Sequence, residues 1–263
     1  MAKKTVTRKT VKPPAKKVKR YPALQLRRLE DQVVLVTGGN RGIGLALARA
    51  LAREGASVII TGRDQEALRR ATDEITRSGG SVVSHVCDVR DEDSVDDLFA
   101  DIGRHFPHLD VLINNAGLAQ PSAHVDHLSL NAWRAAIDTN LTGAFLCTRA
   151  ALPLLRRGST IVNNVSVAAT TPFVGMAAYN ASKAGLLAFT NTLREELRAR
   201  QIRVIAFTPG ATNTDIWEQF WKEAPRDKMM SADSVADALL AALALPANAT
   251  VRDLVITPTG GAL

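Results

Sequence analysis

The sequence has little cysteine, no long apolar run and no acidic residue near its beginning. Two cysteines, Cys87 and Cys147, occur among 263 residues, and they lie in apolar segments without the spacing of a disulfide framework. We therefore expect two reduced thiols in a protein core, which fits a cytoplasmic protein. No apolar stretch is long enough to cross a bilayer, and the charged start lacks the apolar region of a secretory signal.

The basic character of the chain comes from its first twenty residues, which contain no acidic residue. Residues 1–20 hold nine Lys or Arg and no Asp or Glu, whereas the net charge of the whole chain is +7. The other residues together are therefore slightly acidic. We predict that residues 1–28 form a basic disordered tail, because they cannot bury enough apolar surface to order themselves. A solubilising extension fits the tail better than a nucleic-acid-binding arm, because no aromatic residue precedes Tyr21 to stack on bases.

Strand and helix patterns alternate from Leu29 onward. The predicted strands are Val33–Thr37, Ser57–Thr61, Ser81–Val86, Leu109–Asn114, Thr160–Val165, Arg203–Phe207 and Leu254–Ile256. The predicted helices are Gly42–Arg53, Gln65–Ser78, Asp93–His105, Leu130–Arg156, Ala177–Arg200 and Ser231–Leu243. Repeated β-α-β units predict one α/β domain, residues 29–263, with a parallel, doubly wound, seven-stranded sheet flanked by helices. Such sheets bind ligands at the carboxyl ends of their strands.

A glycine-rich turn joins the first predicted strand to the first helix. Its sequence is Thr37-Gly38-Gly39-Asn40-Arg41-Gly42-Ile43-Gly44. Glycine allows a tight turn whose backbone can approach a pyrophosphate, and the start of the helix attracts the phosphate charge. Strand, glycine turn and helix together predict a dinucleotide-binding domain of Rossmann type. The alternative is a plain glycine-rich turn that binds nothing.

The end of the second predicted strand indicates which dinucleotide binds. In NAD-binding domains, an acidic residue about twenty positions beyond the glycine turn accepts the ribose 2′-hydroxyl and repels a 2′-phosphate. Here Gly62, eighteen residues after Gly44, offers no side chain. Arg63 follows and Arg41 lies in the turn, so two guanidiniums can converge on a phosphate, with Thr61 completing the pocket. The sequence therefore predicts NADP(H).

Asp64 is the one acidic residue beside this expected phosphate pocket. We expect its carboxylate to cap the helix that starts near Gln65 and thus to point away from the ribose. The alternative interpretation of the pocket is that Arg41 and Arg63 are solvated surface charges, as most exposed arginines are.

Polar residues follow two further predicted strands. Asp88, in Cys87-Asp88-Val89, can accept a hydrogen bond from an adenine amine, or can instead cap the next helix. Asn114-Asn115-Ala116-Gly117 ends the fourth strand. Its small residues let a cofactor lie against the backbone and its amides can tie neighbouring strands together, although a polar turn is the alternative.

The sharpest chemical signal is Tyr179-Asn180-Ala181-Ser182-Lys183. Tyr179 and Lys183 are four positions apart and so share a helix face, where an ammonium favours the phenolate and lowers the pKa of the phenol. Ser166 lies thirteen residues before Tyr179, just after the fifth predicted strand. Its hydroxyl can address the same atom as the phenol. By itself, a Tyr with an exposed Lys is a common chance pattern.

Taken in order, these motifs resemble those of the short-chain dehydrogenase/reductase family, from about Leu29 to Gly260. The family order also includes Asn140, in Asn140-Leu141-Thr142-Gly143, and the pair Pro209-Gly210. One departure is small: Val165-Ser166 replaces a more usual Ser-Ser pair and leaves the catalytic serine in place. The resemblance implies an oxidoreductase that transfers a hydride between NADP(H) and a carbonyl compound or secondary alcohol.

The resemblance also implies catalytic roles. Tyr179 would be the general acid in reduction and the base in oxidation, while Ser166 would hold and polarise the substrate oxygen. Lys183 would grip the nicotinamide ribose and lower the pKa of Tyr179. Asn140 would anchor a water that links Lys183 to solvent.

The cofactor contacts implied by the resemblance complete the set of expected site residues. Pro209 and Gly210 would line the nicotinamide site. Thr214 would form a hydrogen bond with the nicotinamide carboxamide or with the pyrophosphate. The expected cofactor-binding residues are Gly38, Asn40, Arg41, Gly42, Ile43, Gly44, Thr61, Arg63, Asp88, Val89, Asn115, Ala116, Gly117, Tyr179, Lys183, Pro209, Gly210 and Thr214. The expected substrate-binding residues are Ser166, Tyr179 and Trp217.

The stretch 211–230 holds several large apolar residues close together: Ile216, Trp217, Phe220 and Trp221. It follows the sixth predicted strand, and its aromatic spacing fits a short amphipathic helix. We expect a substrate lid here, which would make the substrate bulky or apolar at one end. Packing of these residues in a subunit interface or at a core edge is the alternative.

Other functions fit the sequence less well. His124 and His127 lack a carboxylate-rich surrounding, so we expect no metal site. Ser166 lacks the Gly-x-Ser-x-Gly context of a hydrolase. A non-catalytic nucleotide sensor or nucleic-acid-binding protein using the basic tail is the alternative function, and the intact Ser166, Tyr179 and Lys183 count against it.

The resemblance also bears on partners and substrate. It implies a homodimer or homotetramer, because Leu130–Arg156 and Ala177–Arg200 carry more small and apolar residues than one sheet face needs. It points to a small-molecule carbonyl or alcohol, of the 3-oxoacyl type or, from the ending Leu254–Thr259, the 3-hydroxy acid type. Neither a nucleic acid nor a membrane is expected as a partner.

Overall fold

The sheet in the computed structural model is parallel throughout, and the structure describes residues 29–246 and 248–261. Its strands are β1 (Val33–Thr37), β2 (Ser57–Gly62), β3 (Ser81–Val86), β4 (Leu109–Asn114), β5 (Leu155–Asn164), β6 (Arg203–Pro209) and β7 (Asp253–Ile256). Their order is β3-β2-β1-β4-β5-β6-β7. The chain therefore winds outward in both directions from the β1–β4 pair, which confirms the predicted doubly wound parallel sheet.

The helices of the described segments cover both faces of the sheet. They are α1 (Gly42–Arg53), α2 (Gln65–Arg77), α3 (Glu92–His105), α4 (Leu130–Ile137), α5 (Gly143–Ala151), α6 (Ala177–Glu196) and α7 (Ala232–Leu243). Alternate residues of β1 face opposite ways: Val34 and Val36 pack with α1, α2 and α7, whereas Val33 and Leu35 pack with α3, α5 and α6. Both faces of β1 are therefore core, as an uninterrupted apolar strand requires.

Short polar side chains fix where several helices begin. Asp64 accepts a hydrogen bond from the Ala67 N–H at 3.0 Å and so caps α2, as predicted. Asp91, Ser129 and Ser231 cap α3, α4 and α7 in the same way. Each cap satisfies an N–H group that has no partner inside its helix.

The predicted helix Leu130–Arg156 is wrong in its middle and at its end. A π-helical turn, Asp138–Thr142, separates α4 from α5, and α5 ends at Ala151. Leu155 already belongs to β5, because it pairs with Leu109 in the sheet and its side chain joins the core beneath. Apolar periodicity does not distinguish these residues from a helix. The predicted helix Ala177–Arg200 likewise ends earlier, at Glu196.

Both cysteines are free and buried, which confirms the expectation of two core thiols. Among the residues that the structure describes, no helix is long and apolar enough to pass through a bilayer, and no cluster of three or more potential metal ligands occurs. The predicted tail, residues 1–28, lies outside the described residues.

Candidate active site

The carboxyl ends of the central strands open into a cleft of about 1580 Å³. Nearly every predicted cofactor-binding residue lines this cleft, together with Ser166 and Trp217. The exception is Thr61, which is fully buried and donates its hydroxyl to the His85 carbonyl at 2.7 Å, within the sheet. The expectation that Thr61 completes a phosphate pocket is therefore wrong. Asn140 also lies outside the cleft lining, buried behind it.

The glycine turn packs so closely on the end of β4 that side chains do not fit. A Cβ atom at Gly44 would lie 2.2 Å from the Gly38 carbonyl oxygen and 2.4 Å from Asn115 Nδ2. Gly38 has a φ of +63°, and a Cβ atom there would lie 2.9 Å from Ala116 Cα. The turn therefore presents bare backbone to the cleft, as close approach to a pyrophosphate requires.

The start of α1 faces the cleft without a side-chain cap. Arg41 occupies the N-cap position and makes no side-chain cap hydrogen bond, in contrast to the Asp and Ser caps of α2, α3, α4 and α7. Uncapped N–H groups and the positive end of the helix dipole are suited to an anion. The first turn of α1 therefore fits a phosphate group.

Asn115 ties the ends of three strands together. Its Nδ2 donates to the carbonyls of Thr37 at 2.9 Å and Gly38 at 3.1 Å, and its Oδ1 accepts from Asn164 Nδ2 at 2.8 Å. The amide thus joins β1, β4 and β5 where the cleft opens. This geometry confirms the prediction that amides after the fourth strand tie neighbouring strands together.

Arginine side chains gather at the end of β2. Arg41 and Arg63 are exposed and line the cleft, as does Arg70 of α2, which the sequence analysis missed. Arg70 carries no signal in the sequence, because its place depends on how α2 packs. The positive charge of Arg63 also helps to lower the pKa of Asp88. The three arginines thus bring positive charge to this end of the cleft, which the acids Asp64, Glu74 and Asp88 also line.

Asp88 is not a helix cap, so that alternative is wrong: Asp91 caps α3 instead. The Asp88 carboxylate pairs with the Arg90 guanidinium at 2.5 Å, and this hydrogen bond is the main cause that lowers the pKa of Asp88. Asp88 and Val89 line the cleft beside Arg63. A hydrogen bond from an adenine amine to Asp88 therefore stays a prediction.

Three reactive side chains converge at the other end of the cleft. Ser166 follows β5, and its hydroxyl lies near enough to the phenol of Tyr179 to lower the pKa of that phenol. Lys183, one turn further along α6, lies with Nζ 5.7 Å from the centroid of the Tyr179 ring. Its Nζ donates to the Asn164 carbonyl at 2.7 Å, which fixes the ammonium beside the end of β5. A substrate oxygen at this point can meet two hydroxyl groups.

Burial controls the protonation of this group of side chains. It raises the pKa of Tyr179, and the nearby Ser166 hydroxyl offsets the shift only in part. Burial also lowers the pKa of Lys183 to about 8. The lowering of the Tyr179 pKa by Lys183 that the resemblance implies stays a prediction.

Asn140 holds the loop after β4 against α6. In the π-helical turn, its Oδ1 accepts from the Leu118 N–H at 2.8 Å. Its Nδ2 donates to the Leu118 carbonyl at 2.9 Å and to Ser182 Oγ at 2.9 Å. Both amide hydrogens are thus used within the protein. The side chain positions its neighbours, and its anchoring of a relay water stays a prediction.

Gln120 is a second positioning residue, which the sequence analysis missed. It is 1% exposed, and its Oε1 accepts from the backbone N–H of Tyr179 at 3.0 Å. Its Nε2 donates to the Gly175 carbonyl at 3.2 Å. Met176, at the N-cap of α6, makes no side-chain cap hydrogen bond, so Gln120 caps this helix from a distant loop. A lone Gln in a loop carries no pattern that predicts such a contact.

The aromatic residues after β6 form part of the cleft wall. Ile216, Trp217, Phe220 and Trp221 all line it, which favours the lid interpretation over packing in a core edge. The segment contains a short 3₁₀ helix, Asp215–Gln219, in place of an amphipathic α-helix. Trp217 donates from Nε1 to the Thr212 carbonyl at 2.8 Å, so the ring has a fixed position. Movement of the segment as a lid stays a prediction.

Comparison with known proteins identifies the family. A family model described as short chain dehydrogenase matches residues 32–225. The chain belongs to this family. A 3-oxoacyl-[acyl-carrier-protein] reductase of Synechocystis sp. is 40% identical over 193 residues, which cover 72% of this chain and 78% of that relative.

Two further proteins support the same conclusion. Sulfoacetaldehyde reductase 2 of Chromohalobacter salexigens is 36% identical over 243 residues, covering 87% of this chain and 95% of that relative. The crystal structure of a short chain dehydrogenase from Burkholderia cenocepacia J2315 in complex with NADP is 32% identical. The two structures match with a TM-score of 0.80, over 88% of this chain and 98% of the Burkholderia chain. The family and fold expected from the sequence are confirmed.

The contacts of Gln120 predict a specific defect. Gln120→Leu leaves the Tyr179 N–H without its acceptor, which costs about 1–3 kcal/mol when the group is buried. We expect this loss of unfolding free energy in chemical denaturation, together with a turnover number that falls about tenfold because the phenol is misplaced. KM for the cofactor should stay at the wild-type value.

The matched variant is Gln120→Glu, which keeps an acceptor for the Tyr179 N–H and loses the donor to Gly175. Its turnover should lie between those of Gln120→Leu and the wild type. A Gln120→Leu enzyme with wild-type turnover would show that this contact does not position Tyr179.

Proposed function

We propose that the chain is an NADP(H)-dependent oxidoreductase that interconverts a carbonyl compound and a secondary alcohol, with Tyr179 as general acid and base. The observation that carries the proposal is the convergence of the Ser166 hydroxyl, the Tyr179 phenol and the Lys183 ammonium at one end of the cleft. A nucleotide sensor or nucleic-acid-binding protein has no need for this arrangement.

The cleft fits a dinucleotide along its whole length. Bare glycine backbone and the uncapped start of α1 supply a pyrophosphate site between the arginines at β2 and the reactive side chains beyond β5. Ala116 and Gly117 leave space beside the tetrad, which is Asn140, Ser166, Tyr179 and Lys183, and Pro209 and Gly210 also line the cleft. We assign the arginine end to the adenosine 2′-phosphate and the tetrad end to the nicotinamide.

The residues of the chain supply position and protons, and the nicotinamide supplies or accepts the hydride. Ser166 and Tyr179 together hold the substrate oxygen by hydrogen bonds. Because burial raises the pKa of Tyr179, the phenol stays protonated through neutral pH and can donate its proton in reduction. Because the pKa of Lys183 is lowered to about 8, its ammonium is protonated below that pH. It can then supply a proton that replaces the one Tyr179 donates.

The names of the relatives do not agree on a substrate, so none is transferred from them. The sequence resemblance is compatible with a 3-oxoacyl or a 3-hydroxy acid substrate, and the chemistry of the cleft lining distinguishes these two types. We also propose a homodimer or homotetramer in the cytoplasm. The exposure of Leu130 (59%) and Phe145 (42%) leaves apolar surface on α4 and α5 that a second copy can cover.

Tyr179→Phe tests the general acid. The substitution keeps the ring and removes the proton donor, and general acid–base catalysis is worth about 10²- to 10⁴-fold in rate. We expect at least a hundredfold loss of turnover in NADPH-dependent reduction of ketones and aldehydes, followed by absorbance, with NADPH affinity nearly unchanged. A variant that keeps a tenth of wild-type turnover would refute this role for Tyr179.

Arg63→Ala tests the choice of cofactor. We expect the wild type to bind NADPH at least tenfold more tightly than NADH, about 1.4 kcal/mol, because guanidiniums pair with the 2′-phosphate. The variant should lose most of this preference while its affinity for NADH barely changes, as measured by fluorescence titration. The control is Arg77→Ala, because Arg77 lies at the end of α2 and does not line the cleft. Equal wild-type affinity for both cofactors would overturn the assignment.

Light scattering tests the assembly. At micromolar concentration we expect a mass of two or four times that of the chain, because exposed apolar surface on α4 and α5 favours association. A monomer under these conditions contradicts the proposal. A Phe145→Glu variant, which places a charge on this surface, should shift the equilibrium towards smaller species.

A further inference from the structure

We propose that the tetrad end of the cleft selects an uncharged carbonyl compound with a bulky apolar group and discriminates against anionic substrates. This inference rests on the proposed oxidoreductase function and specifies its substrate class. It excludes a free 3-oxo or 3-hydroxy acid as the preferred substrate. The side chains that surround the space beyond Ser166 and Tyr179 determine this selectivity.

Two apolar walls enclose this space. The segment after Ser166 contributes Phe173, Val174 and Met176, and the segment after β6 contributes Trp217 and Trp221. The two tryptophan rings have centroids 6.0 Å apart at an angle of 61°, so they form a joined aromatic surface. A substrate held at Tyr179 therefore shares the cleft with apolar and aromatic side chains from both segments.

Much of this apolar surface is open to solvent. Val174 is 83% exposed, Trp221 is 43% exposed and Phe173 is 36% exposed. All three line the cleft, so an apolar substituent of the substrate would cover them. Covering such surface stabilises a complex in proportion to the apolar area removed from water. A small substrate would leave it in water.

Neither apolar wall contributes a cationic side chain to the lining of the cleft. Among the described residues, the Arg and Lys side chains that line the cleft are Arg41, Arg63 and Arg70 at the β2 end, and Lys183. Lys183 is 5% exposed, and its Nζ is held by the Asn164 carbonyl next to the tetrad. The apolar walls thus offer no cation to a substituent.

The charged side chain that lines the cleft beside the aromatic wall is an acid. Asp215 begins the 3₁₀ helix that carries Trp217. The nearby guanidinium of Arg226 does not line the cleft, because it donates to the Thr214 carbonyl at 2.6 Å and pairs with Glu218 at 2.8 Å. A substrate carboxylate placed against the apolar walls would thus lose water, gain no cation from those walls and share them with the Asp215 carboxylate, which is unfavourable on each count.

Four 3-oxo compounds separate charge from size: 3-oxobutanoate, 3-oxobutanamide, 3-oxo-4-phenylbutanoate and 3-oxo-4-phenylbutanamide. Acid and amide have the same shape, and the phenyl ring is not conjugated with the reacting carbonyl. With NADPH and the full chain, we expect kcat/KM for each amide to exceed that for its acid by at least about tenfold. We expect the phenyl amide to exceed the small amide by a similar factor.

Variants of the walls connect these ratios to the named residues. Trp221→Ala should remove most of the preference for the phenyl amide, and Trp221→Phe should keep it. Asp215→Asn should raise the ratio of acid to amide several-fold. Glu223→Gln, an exposed acid in the same segment that does not line the cleft, is the matched control and should leave the ratio unchanged.

The outcomes distinguish this inference from the proposed function. Equal kcat/KM for acids and amides, a preference for acids, or a phenyl preference that survives Trp221→Ala would overturn the substrate class while leaving the oxidoreductase intact. Consumption of none of the four compounds would overturn it too. An NADPH fluorescence titration and the turnover of a panel of other ketones and aldehydes then show whether the proposed function itself fails.

Discussion

The close contact between the glycine turn and the end of β4 is the constraint on which the site depends. Gly38 and Gly44 leave no room for a Cβ atom, and the Asn115 amide fills the gap between the ends of β1, β4 and β5. In a parallel sheet these strand ends carry backbone groups that need partners. Since one side chain supplies them, the turn, the cleft and the start of the Ser166 segment are fixed relative to one another.

The catalytic helix is fixed to the same strand ends by the loop after β4. Asn140 binds both backbone groups of Leu118, and Gln120 supplies the missing cap at Tyr179. Lys183 is held in turn by the Asn164 carbonyl at the end of β5. The phenol and the ammonium therefore sit on a rigid helix whose position depends on side chains that do not themselves react. Such pre-organisation limits the cost of bringing reactive groups together.

The sequence predicted the sheet, most strand bounds and nearly all cleft-lining residues, because glycine spacing and apolar strands report local geometry. It failed at Thr61, whose hydroxyl is used inside the sheet, and at the helix Leu130–Arg156, which a π-helical turn interrupts. Gln120 and Arg70 were missed for a common reason. Their places depend on how distant segments pack, and no local pattern records that packing.

For the proposed dinucleotide and ketone, the distribution of charge along the cleft favours a single orientation. Arginines lie at the β2 end, uncapped helix N–H groups lie in the middle and apolar walls lie beyond the tetrad. An anionic dinucleotide bound in the reverse sense would place its phosphate against Asp215 and the tryptophans, where no guanidinium lines the cleft. The same aromatic end that excludes the phosphate can accept an apolar ketone. In the proposed function, one gradient of polarity would order both molecules and bring the carbonyl carbon to Tyr179 without a separate device to orient the substrate.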